Sequence, residues 1–186
     1  MPLLADRTQT GKVAGKRLSI TVGKVFFYPQ RHPQIMKNLL IIYHSQSGNT
    51  EQLAREVLAG CKQEADIQSR LLGAFDAGLD DLRWADGLLF GTPENFGTMS
   101  GALKDFFDRT YYPAEPYKLN LPYGIFISAD NDGSGAVRDI QRIAKGYPLR
   151  LVSEPLIANG EINADHLRCA REFGLAMAAG LDLGIF

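Results

Sequence analysis

The fold is decided by residues 39–54, which read LLIIYHSQSGNTEQLA. The apolar run 39–43 leads directly into a turn rich in hydroxyl groups, and an amphipathic helix pattern follows from Thr50. The first amides of a helix lack partners within the helix, and the helix dipole places partial positive charge at that end. A strand, turn and helix of this kind predict a phosphate site. We expect six residues to bind the phosphate: Ser45, Gln46, Ser47, Gly48, Asn49 and Thr50.

The composition of this turn limits the kind of phosphate that it suits. It contains no Lys or Arg, whereas the triphosphate loop of an NTPase has the pattern Gly-x-x-x-x-Gly-Lys-Ser/Thr. The most similar run, residues 11–17, has its glycines too close together and an Arg after the lysine. Neutral donors are suited to a single monophosphate. The simpler alternative is that Ser47 or Thr50 only caps the helix.

Length and composition are those of one ordinary globular domain. The chain has 186 residues and a formal net charge of −1, and no apolar run approaches the roughly 18 residues that a membrane-spanning helix needs. Cys61 and Cys169 form no Cys-x-x-Cys pair, and we find no catalytic triad, paired carboxylates or His/Cys metal cluster. We therefore expect a cytoplasmic protein without membrane association and without a metal.

Residues 1–35 differ in charge from the rest of the chain. They contain six basic residues and one acid, whereas residues 36–186 contain an excess of six acids. The segment lacks the apolar core and cleavage site of a secretory signal, and its only strand-like run is residues 18–27. Because Met36 stands directly before the first strong strand, we expect residues 1–35 to be a basic N-terminal extension outside the core fold, produced by an upstream start. A regulatory arm is the alternative.

After Met36, strand and helix patterns alternate with short connections. This alternation predicts a doubly wound α/β domain over residues 36–186, with a five-stranded parallel sheet between two layers of helices. We predict strands at residues 38–44, 67–73, 86–92, 122–129 and 149–157. We predict helices at residues 50–64 and 79–85, after Ser100, after Ser134, and at 164–179, where Asn163 caps the helix and Gly180 ends it. Ligands of such sheets bind beyond the carboxyl ends of the strands, which directs attention to the loops after the first, third and fourth strands.

Two further loops therefore belong to the candidate site. The loop after the third strand, residues 91–101, reads GTPENFGTMSG and offers backbone donors beside Phe96, as a planar heteroaromatic ring requires. The alternative is that Phe96 fills the core and Ser100 caps the next helix. The loop after the fourth strand, residues 129–135, reads ADNDGSG and either belongs to the site or is an ordinary turn.

From Met36 onward the chain resembles the flavodoxin-like superfamily. Within it, the resemblance is strongest to the NAD(P)H-dependent FMN oxidoreductases, including NAD(P)H:quinone oxidoreductases of the tryptophan-repressor-binding-protein type. Residues 45–50 resemble the loop that binds the FMN phosphate, and residues 91–104 resemble the segment that meets the flavin ring. Residues 129–135 depart from the glycine-rich loop of the quinone reductases.

The resemblance implies the strand order 2-1-3-4-5, FMN as the cofactor and NADH or NADPH as the reductant. It also implies which residues surround the ring. Those expected along the flavin ring are Pro93, Glu94, Asn95, Phe96 and Gly97, and those expected at its pyrimidine side are Asp130, Asn131, Asp132 and Gly133.

The sequence favours an enzyme over an electron carrier. Because flavin supplies the redox chemistry, we expect no catalytic side chain. Flavodoxin-type carriers, which a separate reductase reduces, cover both ring faces with aromatic residues, but residues 129–135 contain none. One ring face should therefore admit a nicotinamide at reacting distance and then a small acceptor such as a quinone. The carrier remains the alternative.

Other classes of function fit less well. A signalling receiver would need acids after the first strand, where this chain has His44 and Ser45, and the acidic body gives no support for nucleic-acid binding. The aromatic segment 111–117 is placed on or near the site side. Its aromatic side chains would line an acceptor pocket, form the interface of a homo-oligomer, or only pack against a loop.

Overall fold

The computed structural model describes residues 36–186 and, for the backbone alone, residues 10–13, 16–21 and 24–27. In the N-terminal part, strands β1 (Thr10–Val13), β2 (Lys16–Thr21) and β3 (Lys24–Phe27) form an antiparallel sheet in the order β1-β2-β3. The sequence indicated only one strand-like run here, residues 18–27, whereas the structure has three strands, which begin at Thr10. The packing divides the chain into two compact units, residues 1–35 and 36–186. That the first unit arises from an upstream start stays a prediction.

Residues 36–186 form a parallel α/β sheet with helices on both faces. Its strands are β4 (Lys37–Tyr43), β5 (Ile67–Gly73), β6 (Gly87–Asn95), β7 (Thr98–Met99), β8 (Pro122–Ala129), β9 (Arg150–Leu151) and β10 (Leu156–Asn159). Its helices are α1 (Asn49–Cys61), α2 (Leu79–Trp84), α3 (Gly101–Ala114), α4 (Ser134–Ala144) and α5 (Ala164–Asp182). The sheet order β5-β4-β6-β8-β10 is the predicted order 2-1-3-4-5, and the predicted fold class is confirmed.

Alternation along the central strands creates the three layers. Leu40 and Ile42 of β4 point into a core shared with α2, α3 and α4, whereas Leu39 and Ile41 point into a second core shared with α1 and α5. Strand β8 is buried along its whole length, as expected for a parallel strand covered on both faces. No helix of the described residues is long and apolar enough to cross a membrane.

Four predicted element bounds are wrong. Helix α1 ends at Cys61, three residues before the predicted end at residue 64. The expected strand at residues 149–157 is two short strands, β9 and β10, which both pair with β8; Pro155, between them, has no amide to donate to a ladder. Strand β6 continues to Asn95, three residues beyond the predicted end. Helix α5 passes through Gly180 and ends at Asp182, while Asn163 Oδ1 caps it by accepting from the His166 amide, as predicted.

The aromatic segment 111–117 does not lie on the site side. Tyr111 and Tyr112 belong to α3, which begins at the carboxyl edge of β6 and runs back across the sheet, and Glu115–Tyr117 forms a 3-10 turn shortly before β8 begins. The segment therefore lies at the amino-terminal edge of the strands, where the Arg83 guanidinium stacks 4.6 Å from the Tyr117 ring centroid.

Candidate functional site

The three loops singled out from the sequence emerge at one edge of the sheet. They follow β4, β6 and β8, which are parallel neighbours in the order β4-β6-β8. The His44 amide donates to the Gly91 carbonyl oxygen at 3.0 Å and fixes the first loop against β6. This edge is the region in which a doubly wound sheet binds ligands.

The first loop leaves the start of α1 without a side-chain cap. Gly48 occupies the N-cap position with φ 94°, which favours glycine, and among residues 36–186 no side chain caps the helix start. Ser45 Oγ instead accepts from the Gly48 amide at 3.1 Å. Ser47 is exposed and makes no hydrogen bond within the described part of the chain. The capping role considered for Ser47 and Thr50 is therefore absent, and the helix start remains available to an anion.

Thr50 has a different role from the exposed serine. It is buried, and its hydroxyl lies 2.8 Å from that of Ser128, which is buried near the end of β8. This hydrogen bond ties the first turn of α1 to the strand that leads into residues 130–133. It thus fixes two of the three loops relative to each other.

His44 borders the first loop with an unsatisfied ring nitrogen. Its Nδ1 atom is buried and has no hydrogen-bond partner among the described residues, and burial lowers the pKa of His44. The ring meets the exposed Phe75 ring edge-on, with centroids 6.2 Å apart. A neutral imidazole is therefore favoured at this corner of the site.

The second loop is a tight hairpin. Strand β6 continues to Asn95 and pairs with β7 through Glu94 opposite Met99 and Asn95 opposite Thr98. The two residues of the turn, Phe96 and Gly97, have φ of 54° and 71°, as a type I′ turn requires. Phe96 is fully exposed, so the alternative that it fills the core is wrong. A bulky residue held at positive φ with its ring in solvent is strained, and such strain concentrates at functional sites.

Ser100 has the capping role considered for it. Its Oγ atom accepts from the Leu103 amide at 3.4 Å at the start of α3, and its own amide donates to Thr92 Oγ1 at 2.9 Å. The hairpin is therefore anchored at its base by buried hydroxyl groups.

Glu94 carries the second unsatisfied group of the site. Its Oε2 atom is buried and has no hydrogen-bond partner in the part of the chain that the structure describes. A buried carboxylate oxygen without a donor is costly, and a ring N–H of a ligand would satisfy it. This oxygen lies on the hairpin that was expected to meet the flavin ring.

The hairpin is fixed against α4. Thr98 Oγ1 donates to Asp139 Oδ2 at 2.5 Å, and the Arg138 guanidinium lies 3.0 Å from Asp139 Oδ1. Gly135 permits the close approach, since a Cβ there would lie 1.9 Å from the Gly97 carbonyl oxygen. The sequence indicated none of this, because Asp139 is an ordinary polar position beside the apolar stripe of α4. No local pattern could have identified it.

The third loop divides into two parts. Asp132 Oδ1 accepts from the amide and hydroxyl of Ser134 at 2.9 and 2.7 Å, which lowers the pKa of Asp132. The Asp132 carboxylate therefore bonds to the start of α4, as it would in an ordinary turn. Asp130 and Asn131 are exposed at the site edge, and Gly133 is buried with φ 71°.

Fold and site define a flavodoxin-like protein. The chain belongs to the family described as "NADPH-dependent FMN reductase", whose sequence profile matches residues 37–144. The resemblance found in the sequence is therefore confirmed, and the family's description includes the two small molecules, FMN and a reduced nicotinamide dinucleotide, that the resemblance implied.

The individual relatives include a protein named flavodoxin and one named NAD(P)H dehydrogenase (quinone). The chain is 38% identical over 73 residues to a protein named flavodoxin from Aquifex aeolicus, covering 39% of this chain and 40% of that one. It is 34% identical over 95 residues to an NAD(P)H dehydrogenase (quinone) from Acidithiobacillus ferrooxidans, covering 40% and 48%. The matched regions thus span less than half of either curated relative. The structure of a WrbA-like flavodoxin from Agrobacterium tumefaciens shares the fold, with a TM-score of 0.67 at 23% identity over 79% of this chain and 98% of that chain.

The residues at this edge fit FMN. The uncapped start of α1 suits the phosphate, and the buried Glu94 Oε2 atom suits a ring N–H. The turn at Phe96 and Gly97 offers an exposed aromatic ring beside backbone groups. Within the residues described, no group of three or more His, Cys, Asp or Glu side chains is placed to hold a metal ion.

Proposed function

We propose that this protein is an FMN-dependent oxidoreductase that uses NAD(P)H to reduce a small acceptor such as a quinone. Bound FMN supplies the redox chemistry. The proposal rests above all on the uncapped start of α1, with the free Ser47 hydroxyl, at the same sheet edge as the hairpin that carries Glu94. A small-molecule acceptor and a cytoplasmic location are part of the proposal.

Each loop has a separate task in this proposal. Residues 45–50 hold the phosphate through helix amides and hydroxyl groups, without a cation. Residues 93–97 line the flavin ring, and Glu94 accepts a hydrogen bond from it. Residues 130–133 border the pyrimidine side. Because the third loop offers no aromatic side chain, one ring face stays accessible to the nicotinamide and to the acceptor.

Equilibrium dialysis tests the cofactor and its anchor. The protein should bind FMN much more tightly than riboflavin, which has the same ring but no phosphate. Equal affinities for the two would remove the phosphate role of residues 45–50. Failure to bind either would remove the proposed function altogether.

The second candidate is a flavodoxin-type electron carrier, which the relative named flavodoxin favours. Anaerobic addition of NADH or NADPH to the FMN-loaded protein separates the two. An enzyme bleaches its flavin absorbance directly, whereas a carrier stays oxidised until a separate reductase is added.

A further inference from the structure

Helix α3 has a solvent-exposed stripe that is complementary to itself. The stripe consists of Gly101, Lys104, Asp108 and Tyr112, which are all exposed. Intervals of three and four residues place them on one face of the helix. If the stripe of a second copy is laid against it in the antiparallel direction, Lys104 comes opposite Asp108 and Gly101 opposite Tyr112, because both pairs are centred close to residue 106. Opposite charges then meet, and the largest side chain meets the position that has none.

A groove lies beside this stripe, between α3 and α4. One end is a pocket of about 540 Å³ next to Gly101 and Met99, and the other end is a pocket of about 330 Å³ next to Tyr112. Lys104, Arg142 and Ile143 line both pockets, which therefore form one groove, called here the α3–α4 groove.

The charges of the α3–α4 groove balance. Lys104 and Arg142 line it together with Asp108 and Asp139, two basic and two acidic residues. Such a groove gives no net attraction for an anion or a cation. It is suited to a surface that carries both signs in a matching order, and the α3 stripe of a second copy has that property.

Tyr112 has the properties of an interface anchor. It is 76% exposed, and its ring meets that of Tyr111 edge-on, with centroids 5.3 Å apart. Tyr111 in turn packs edge-on, at 5.1 Å, against the buried Tyr147, whose hydroxyl donates to the Phe107 carbonyl oxygen. A rigid aromatic base thus holds the Tyr112 ring in solvent, so burying this ring costs little conformational entropy. Tyrosine is among the residues that carry most of the binding energy of interfaces.

We propose that the α3 stripe and the α3–α4 groove form a two-fold symmetric interface between two copies of this chain. The partner's α3 lies antiparallel to α3, the partner's Tyr112 enters the pocket next to Gly101, and Lys104 pairs with the partner's Asp108. Two-fold symmetry makes each of these contacts twice. The tyrosines supply most of the affinity, whereas the exposed ion pairs mainly set the register.

The interface does not depend on the proposed function, but it lies next to the proposed site. Met99, which lines the receiving pocket, belongs to the β7 strand of the hairpin. The second copy therefore supports the base of the hairpin that carries Glu94. The exposed positions of α5, in the opposite helix layer, carry charged side chains but no aromatic one, so that face has no comparable anchor.

Sedimentation equilibrium of the FMN-loaded full chain tests the interface. The wild type should form a dimer of twice the chain mass of 20.5 kDa. Lys104→Asp and Asp108→Lys each place like charges opposite each other twice, so each should raise the Kd of the dimer at least about tenfold. An equal mixture of the two variants should form a heterodimer with a Kd within about threefold of that of the wild type, because opposite charges then meet again. Altered charge pairing within each α3 cannot produce this rescue, since each copy in the mixture keeps its like-charged pair.

Tyr112→Ala tests the anchor and should raise the Kd of the dimer at least about tenfold. Tyr117→Ala is its matched control, because Tyr117 is also an exposed tyrosine but follows α3 and lies outside the stripe. Arg168→Asp is the control for charge reversal, because Arg168 forms a comparable exposed ion pair with Glu172 on α5. Both controls should dimerise like the wild type.

Three results would overturn the proposal. The wild type stays monomeric, the α3 variants dimerise as well as the wild type does, or the mixture of the two charge variants forms no heterodimer. A dimer that none of the α3 variants weakens would show that the copies associate through another surface. Flavin bleaching by NADPH reports separately on the proposed function in every case.

Discussion

Thr98 and Asp139 join the hairpin to helix α4 through a 2.5 Å hydrogen bond from Thr98 Oγ1 to Asp139 Oδ2. This bond is the largest cause of the lowered pKa of Asp139, and the neighbouring Arg138 lowers it further. The turn of Phe96 and Gly97 directly precedes Thr98, so the bond fixes the residues proposed to meet the flavin. A single side-chain contact therefore connects the stability of α4 to the geometry of the site.

Replacing Thr98 with Val tests this connection. Valine keeps the shape and removes the donor, so the free energy of unfolding should fall by about 1 to 2 kcal/mol, near the lower end for a hydrogen bond to a charged group because Asp139 is partly exposed. The affinity for FMN should also fall, because the Thr98 to Asp139 bond fixes the residues proposed to meet the flavin. Because the folded state lowers the pKa of Asp139, the stabilisation is present above the unfolded pKa and is lost as pH falls through the folded pKa.

The difference in stability between wild type and Thr98→Val, measured by urea denaturation, should therefore be full at pH 7 and vanish in strong acid. Asp108→Asn is the control, since it removes an exposed ion pair with Lys104 and should cost less than about 1 kcal/mol. If the difference in unfolding free energy stayed constant down to strong acid, the ionised Asp139 carboxylate would not be its cause.

The hydrogen bond between Thr50 and Ser128 gives a second prediction. Thr50→Val or Ser128→Ala alone leaves one buried hydroxyl without its partner and should lower the free energy of unfolding by about 1 to 2 kcal/mol. The double variant should lose less than the sum of the two, because neither partner is then left unsatisfied. Chemical denaturation of the wild type, the two single variants and the double variant measures the coupling energy between the two hydroxyl groups. If the losses in unfolding free energy were strictly additive, the two groups would not be coupled.

Much of the sheet could be predicted because its signals are local. The apolar runs of β4, β5 and β8 gave strand bounds within about one residue, and short connections implied a parallel sheet with helices on both faces. The division of the fifth strand could not be predicted in the same way. It depends on which residues of 150–159 find partners on β8, and this is a property of the assembled sheet.

The candidate site was predicted in its location but not in its geometry. The pattern that identified residues 45–50 did not show that Thr50 pairs with Ser128, 78 residues away. It also did not show that Phe96 occupies a two-residue turn, since such turns usually contain Asn-Gly or Asp-Gly. The Thr98 to Asp139 bond spans 41 residues. Contacts between residues so far apart in sequence depend on the packed fold and cannot be detected in the local periodicity of the sequence.

Ser47→Asp provides a direct test of the phosphate loop. A carboxylate at this exposed position beside the start of α1 would repel the FMN phosphate, and FMN affinity should fall by at least about tenfold. Riboflavin lacks the phosphate, so its affinity should stay unchanged in the same variant and serves as the internal control. Fluorescence titration with both flavins measures the two affinities. An equal loss for both flavins would instead indicate general damage to the loop.

Phe96→Asn should make the protein more stable and less active. Asn tolerates positive φ better than Phe, and no buried area is lost because the Phe96 ring is fully exposed. The free energy of unfolding should therefore rise by about 0.5 to 1 kcal/mol as the backbone strain is relieved. Reduction of the bound flavin by NADPH should slow, because the aromatic surface beside the ring is removed.

Phe75→Asn is the matched control for this variant. Phe75 is also an exposed aromatic residue at the site edge, but its φ is not positive, so its replacement relieves no strain. Urea denaturation should show stabilisation in the Phe96 variant alone, and stopped-flow absorbance at the flavin band measures the reduction rate. If Phe96→Asn gains stability and keeps the full rate, the strained phenylalanine has no part in the reaction. Retention of a strained aromatic residue would then have no functional explanation, since the turn itself is compatible with Asn.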